Sequence, residues 1–245
     1  MHHFFVTPCQ VEETEIFIEG SDVNHIRNVL RIREGEQISV SDGHNNTYRC
    51  RLDRYEEDRA ILAIEDRLET DRELPARIYL FQGLPKQEKM EWIVQKAVEL
   101  GVFAVIPVEM KRSVVKLDEK KAEKKQKRWQ QIAESAAKQS GRGYIPQIGK
   151  VRTFSEAVRQ AEELDMILLP YELERGMEES RNRMALAAKA GSVGIFIGPE
   201  GGFEQAEVEE AEKAGAKRIS LGKRILRTET AGLAVLSVLM FAMEE

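Results

Sequence analysis

The sequence predicts an α/β protein in two parts: a small β-rich module followed by a larger domain built on a largely parallel sheet. Three observations carry that prediction. Within the first 70 residues, polar and apolar side chains alternate with the period of half-buried strands. From Ala76 onward, strand-like and helix-like patterns take turns, the arrangement that covers both faces of a parallel sheet with helices. Between them the polar stretch 69–75, ETDRELP, ends in proline and marks a boundary. Domains at 1–70 and 75–245 follow.

In the first module Thr47, Arg49 and Arg51 alternate with Tyr48, Cys50 and Leu52, so this stretch is a strand with one buried face. Segments 36–40 and 60–64 are further strands, with Asp42-Gly43 and Asn45-Asn46 as turn chemistry between the first of these and Thr47. One short helix interrupts them. Ser21 is its predicted N-cap, and Val23, Ile26 and Leu30 share a face. His25, Arg27 and Arg31 fall on other sides, where they either meet phosphates or are ordinary surface charge. In the second domain, strands are expected at 78–82, 103–108, 166–169, 193–197 and 218–221. Helices are expected around Met90–Val98, after the lysine-rich run with Trp129, Ile132, Ala133 and Ala136 inward, and at 154–164, 178–190, 204–214 and 230–243. Gly101 stands where a helix C-cap belongs.

The last helix is apolar on two sides. Ala231, Ala234, Val235, Val238, Leu239 and Ala242 form one stripe, and Leu233, Leu236, Met240 and Met243 another. Such a helix is buried all round, either within one chain or between its own sheet and a partner, and a homodimer is the expectation.

Composition excludes several classes. Cys9 and Cys50 match no metal-ligand or CxxC spacing, and all four histidines lie within the first 44 residues, so neither a metal nor a disulfide is expected. The N-terminus lacks the basic and apolar regions of a signal peptide, and the longest apolar run, 231–243, is short of the ~20 residues a bilayer span requires. A cytoplasmic protein without a membrane partner is expected. The net charge of −5 is uneven, because 111–128 alone carries nine basic and three acidic residues. That run is either a solvated helix face or a polyanion contact.

Three loops should converge where the strands of the second domain end, the place at which open α/β sheets hold ligands. They are Leu169-Pro170-Tyr171-Glu172, the segment from Gly198 to Phe203, and the segment from Gly222 to Glu229. Their glycines let backbone approach a flat ligand closely. Neither the dinucleotide fingerprint nor a P-loop is present. The second and third loops also bring Glu200, Lys223, Arg224, Arg227 and Glu229 together. Arginine at a helix N-terminus is suited to an anion formed during reaction, since guanidinium and helix dipole favour the same charge. The alternative is structural, with Glu200 and Glu229 capping the following helices and Arg227 paired to one of them.

At these residues the sequence resembles a known family. GPEGGF followed by LGKRILRTETA, together with the N-terminal HHFFV and HIRNVLRIREGE, is similar to the SPOUT-superfamily methyltransferases that modify N3 of a uridine in 16S rRNA. The resemblance covers both predicted domains. It implies an N-terminal PUA-like β-barrel that binds RNA, and a C-terminal SPOUT α/β domain with a trefoil knot that binds S-adenosylmethionine and works as a homodimer on the small ribosomal subunit. No spacing in the sequence reveals the knot, and general topology rules argue against one.

Carried over by position, the cofactor contacts are Leu169, Pro170, Tyr171, Glu172, Ile197, Gly198, Pro199, Gly201, Gly202, Leu221, Gly222, Ile225 and Leu226. The chemistry then assigns Arg227 to the uracil anion and leaves Glu229 or Glu200 as proton acceptor. The expected RNA contacts are Phe4, His25, Arg27, Arg31, Lys111, Arg112, Lys116, Arg142 and Arg224. Two rival readings are an enzyme for a nucleotide or nicotinamide cofactor, and an RNA-binding factor that keeps the fold without catalysis.

Overall fold

The computed structural model describes residues 2–68 and 72–244, so 69–71 of the expected boundary segment lie outside the described residues. The chain divides into two compact units: Met1–Glu73 with Ala137–Ile145, and Leu74–Ala136 with Pro146–Glu245.

The first unit is a five-stranded sheet of β1 (His3–Phe5), β2 (Glu15–Glu19), β3 (Gln37–Ser41), β4 (Thr47–Tyr55) and β5 (Arg59–Leu68), in the order β1-β3-β4-β5-β2. It is a half-barrel rather than a closed barrel: among the described residues no ladder joins β1 to β2. Strands β1 and β2 were not among the expected elements. The former is three residues long, and the latter, EIFIE, buries Ile16 and Ile18 and turns Glu15 and Glu19 outward. The core gathers Ile16, Ile18, Ile38, Val40, Cys50, Leu52 and Leu62 with Val23 and Ile26 of the helical turn.

That turn begins as α1 (Ser21–Asn24) and continues through His25–Val29 with wider spacing. Its N-cap is Gly20, at φ +69°, and not the predicted Ser21, which is the first helical residue. A backbone angle that glycine alone adopts cheaply sets the entry of the chain. Residues 142–145 belong here despite their distance in sequence. Asn45 N donates to Gly143 O (3.0 Å), Ile145 N to Gly43 O (3.4 Å), and the Arg142 guanidinium is gripped by both Glu73 oxygens.

The second unit carries a wholly parallel seven-stranded sheet. Its path is β12-β10-β11-β6-β7-β8, with β9 also paired to β7. The strands are β6 (Arg77–Gly83), β7 (Ala104–Glu109), β8 (Gln147–Ile148), β9 (Arg152–Thr153), β10 (Met166–Pro170), β11 (Ser192–Ile197) and β12 (Lys217–Ile219). Helices α2 (Lys89–Glu99), α3 (Glu119–Ser140), α4 (Phe154–Ala161), α5 (Met177–Ala187), α6 (Gln205–Lys213) and α7 (Thr228–Met243) alternate with them, the last four residues of α3 falling in the first unit. The central strands are buried on both faces, and hence read as unbroken apolar runs such as MILL and IFI.

Helix α3 starts inside the lysine-rich run rather than after it. Asp118 accepts from Lys121 N at 2.9 Å and so provides the start signal. On one face of the sheet Phe81 and Phe196 stack at 4.5 Å, with Phe154 edge-on to Phe196. A Cβ on Gly194 would come within 3.2 Å of Phe81, so glycine makes room for that ring. Helix α7 lies equally close: a Cβ on Gly232 would meet Ile197 and Leu80, each at 3.3 Å. Its Val235, Leu236 and Leu239 are buried, while Val238 and Phe241 face outward. No helix among the described residues is long and apolar enough to cross a membrane.

Candidate active site

A cavity of about 630 Å³ opens beside the carboxyl ends of β10, β11 and β12, within the second unit. Its walls are three loops: 170–173 with Arg175, 197–203 without Gly201, and 220–228. Lys89 and Ala231 complete the lining. The volume is that of a pocket for one small molecule. Glycines keep it open. Gly202 (φ +70°) and Gly222 (φ +106°) take left-handed backbone, and a Cβ at either would project into empty space. Gly83 brings the β6 end against the β11 loop, where a Cβ would lie 2.7 Å from Pro199 N.

Below the cavity a buried polar chain fixes the start of α7. Gln82 Nε2 donates to Thr228 Oγ1 (2.8 Å), and Thr228 Oγ1 donates to Gly198 O (2.7 Å). Beside it stands an ion cluster. Lys89 Nζ donates to Glu200 Oε1 at 3.0 Å and lies 3.3 Å from Glu229 Oε2. The second approach is close enough for an ion pair but off the line of a hydrogen bond, so that buried Glu229 oxygen has no hydrogen-bond partner. Lys86 N donates to both Glu200 oxygens, at 3.1 and 3.3 Å. Burial works against ionising Glu200. The bonds from Lys89, from its own backbone and from Lys86, with the Lys89 charge, outweigh that and hold the carboxyl below its ordinary range. The hydrogen bond to Glu200 in turn holds the Lys89 ammonium above its usual value, with burial opposing.

Arg227 is the N-cap residue of α7, is exposed, lines the cavity, and has a side chain with no hydrogen-bond or ion-pair partner among the described residues. The structural alternative raised by the sequence therefore fails. Arg227 pairs with neither glutamate, because Lys89 takes both. Glu200 caps no helix, since α6 is opened by a reciprocal box between Glu204 and Glu207.

The structure also sorts the other expected positions. Pro170, Tyr171, Glu172, Ile197, Gly198, Pro199, Gly202, Leu221, Gly222, Ile225 and Leu226 line the cavity with Glu200, Arg224 and Arg227. Leu169 does not, because its side chain is fully buried in the core. Gly201 turns away, packed where a Cβ would lie 2.9 Å from Arg112. Glu229 lies against Lys89 and is not among the residues that line the cavity.

Among the expected RNA contacts, Phe4 is a core residue, and Arg142 has 4% of its side chain exposed with its guanidinium bound to Glu73. Neither is presented to a partner. Arg112 is committed to Glu204 and Gly201 O, and Arg27 to Glu56 O and the Tyr55 ring. His25, Arg31, Lys111, Lys116 and Arg224 are exposed. The sequence reading missed Lys89, Lys86, Gln82 and Thr228. The signal for the first two was the loop leaving β6, a fourth strand end at the same edge of the sheet. Thr228 lies inside the quoted RTETA stretch, which was read for charge alone.

A strand-end cavity in a parallel α/β sheet, with glycines in two of its loops and an unpaired arginine side chain at its edge, defines a small-molecule site joined in one chain to a β-rich module. The chain belongs to the RNA methyltransferase family: that family's domain matches residues 72–240, and an RNA methyltransferase PUA domain matches 18–65. It is 39% identical to the ribosomal RNA small subunit methyltransferase E of Bacillus subtilis over 100% of this chain and 98% of that protein. It is 33% identical to the protein of the same name from Mesomycoplasma hyopneumoniae over 97% and 98%. The solved structure of ribosomal RNA small subunit methyltransferase E from Neisseria gonorrhoeae, bound to S-adenosyl methionine, superposes with a TM-score of 0.81. Its sequence identity is 33%, and the match covers 97% of this chain and 95% of that one.

Proposed function

We propose that this protein methylates N3 of a single uridine in the 16S rRNA of the small ribosomal subunit, in the cytoplasm, using S-adenosylmethionine. The observation that carries the reading is the cavity of about 630 Å³ with unpaired Arg227 on its rim, in a chain alike over its full length to small-subunit rRNA methyltransferases. The cavity fits the cofactor. Its backbone-rich loops 170–172, 197–202 and 221–226 suit an adenine edge, and Gly202 and Gly222 leave the space that side chains would fill.

When bound, S-adenosylmethionine supplies an electrophilic methyl group on a sulfonium. The chain's own residues do the rest. Uracil N3 attacks only after losing its proton, and the resulting charge spreads onto the carbonyl oxygens that flank N3. Arg227 donates to one of those oxygens and so favours the anion; a donor of this kind is worth about 10² to 10³ in rate. Glu200 and Glu229 are held by Lys89, which leaves water to accept the proton.

The RNA footprint takes in His25 and Arg31 of the first unit, with Lys111, Lys116 and Arg224 of the second. Phosphate contacts there set position, and the extruded base supplies readout. The outward Val238 and Phe241 of α7, together with Trp92 on the adjoining α2, make an apolar surface suited to a second copy of the chain, and a homodimer is the assembly proposed. A knotted course for the chain's end, as the resemblance implies, is part of this proposal.

The test is transfer of labelled methyl from S-adenosylmethionine to small subunits that lack the modification, followed by nucleoside analysis. Label in 3-methyluridine is expected. Label in another nucleoside, or none with the cofactor bound, would overturn the assignment.

A further inference from the structure

We propose that Lys89 is a positioning residue of the methyl-transfer site, which by holding Glu200 and Glu229 keeps Arg227 unpaired for the substrate anion. The proposal rests on Arg227 being the anion-stabilising group. Three elements meet at one ammonium: Lys89 opens α2, Glu200 lies in the loop after β11, and Glu229 is in the first turn of α7, two residues beyond Arg227. Without Lys89 the two carboxylates would lose the ammonium that meets them both, with Arg227 beside them on the cavity wall and at the same helix end. Glu200 shares the cavity wall with Arg227, and Glu229 shares its helix terminus.

A guanidinium beside two uncompensated carboxylates binds them, and a bidentate pair is its strongest option. Such a pair would have to break before the substrate anion could be met, so its strength would be lost from the rate. Lys89 removes that option. Its ammonium satisfies Glu200 and balances Glu229, while Thr228 holds the helix start on Gly198 O from the other side. Arg227 is left at the N-cap with its donors turned to no protein acceptor. The same helix end favours negative charge at that point, so the unpaired arginine and the helix dipole act together.

The experiment compares three variants of the full-length protein, with methyl transfer, cofactor affinity and thermal melting measured for each. Lys89→Met is expected to lower transfer by at least about tenfold, short of the ~10² to 10³ for losing the donor itself, with cofactor affinity close to that of the parent. Lys89→Arg should retain most of the rate, since a guanidinium can hold the same two carboxylates. Lys89→Met combined with Glu200→Gln and Glu229→Gln should recover a large part of the loss, because no uncompensated carboxylate remains to capture Arg227. A merely structural lysine would not be rescued in that way. Full activity in Lys89→Met, or a folded triple variant no faster than the single one, would overturn the proposal. If Lys89→Met unfolds, the triple variant decides alone, and an inactive folded triple variant would count against it. Arg227→Ala separates the two readings: full activity there would sink the role of Arg227, whereas an inactive Arg227→Ala beside an active Lys89→Met would sink only the role of Lys89.

Discussion

The arginines of the first unit and those of the 220–228 loop are the same residue type in opposite circumstances. Arg49, Arg51 and Arg59 each face a carboxylate across neighbouring strands, Arg54 reaches Glu15 two strands away, and Arg142 is closed onto Glu73. Arg224 and Arg227 line the cavity of the second unit without a partner among the described residues. In the half-barrel the charges complete the fold, and at the strand ends they wait for something the fold does not supply. What separates a structural arginine from a functional one here is the position of the nearest carboxylate. At the strand ends Glu200 and Glu229 are already taken by Lys89.

That contrast can be broken from the structural side first. Arg142→Ala leaves Glu73 mostly buried without its cation, and loss of one partner of a buried pair costs about 3 kcal/mol or more. Urea unfolding should show that drop, while cofactor binding by the folded protein stays unchanged; an equal loss of cofactor affinity would mean that Arg142 serves the site. A smaller effect is expected on the lysine-rich helix. Lys124 is exposed and has no partner among the described residues. If it meets phosphate, Lys124→Gln should flatten the salt dependence of RNA binding by about 0.7 to 0.9 in log–log slope. An unchanged slope would make it a solvated face. Smallest of all is Arg49→Ala, which removes an exposed pair with Asp66 and should cost less than about 1 kcal/mol. A loss several times larger, read in the same urea titration, would blur the distinction between buried and exposed pairs on which the comparison depends.

The sequence showed the second unit more plainly than the first because strands buried on both faces write themselves as apolar runs. Met166 to Leu169 and Val193 to Ile197 were legible for that reason, whereas β8 and β9, two residues each, have no period to read. Residues 142–145 looked like part of the larger domain. Their place with 43–47 depends on backbone hydrogen bonds to Gly43 and Asn45 that no local pattern announces. The half-barrel's β2 carried a clear alternation, yet a five-residue strand ahead of a short helix is easily passed over.

At the site, the glycine loops and Arg227 were visible because they cluster in sequence. Lys89 was not, because it reaches Glu200 across 111 residues and only the sheet order makes them neighbours. Glu229 is a like case: its closeness to Arg227 along the chain is plain in the sequence, but the ammonium against it is not. Leu169 and Gly201 are absent from the cavity wall for a simpler reason. Leu169 sits in a strand, where successive side chains point to opposite faces, and its own points into the core, while Gly201 packs on Arg112.

Arg227, unpaired on the cavity wall, is proposed to act on the substrate anion. The most direct measurement is the single-turnover rate of methyl transfer to small subunits by Arg227→Ala, alongside its calorimetric affinity for S-adenosylmethionine. A fall of about 10² to 10³ in rate, with cofactor affinity nearly unchanged, is the predicted result. A variant that transfers methyl at the parent rate would contradict it.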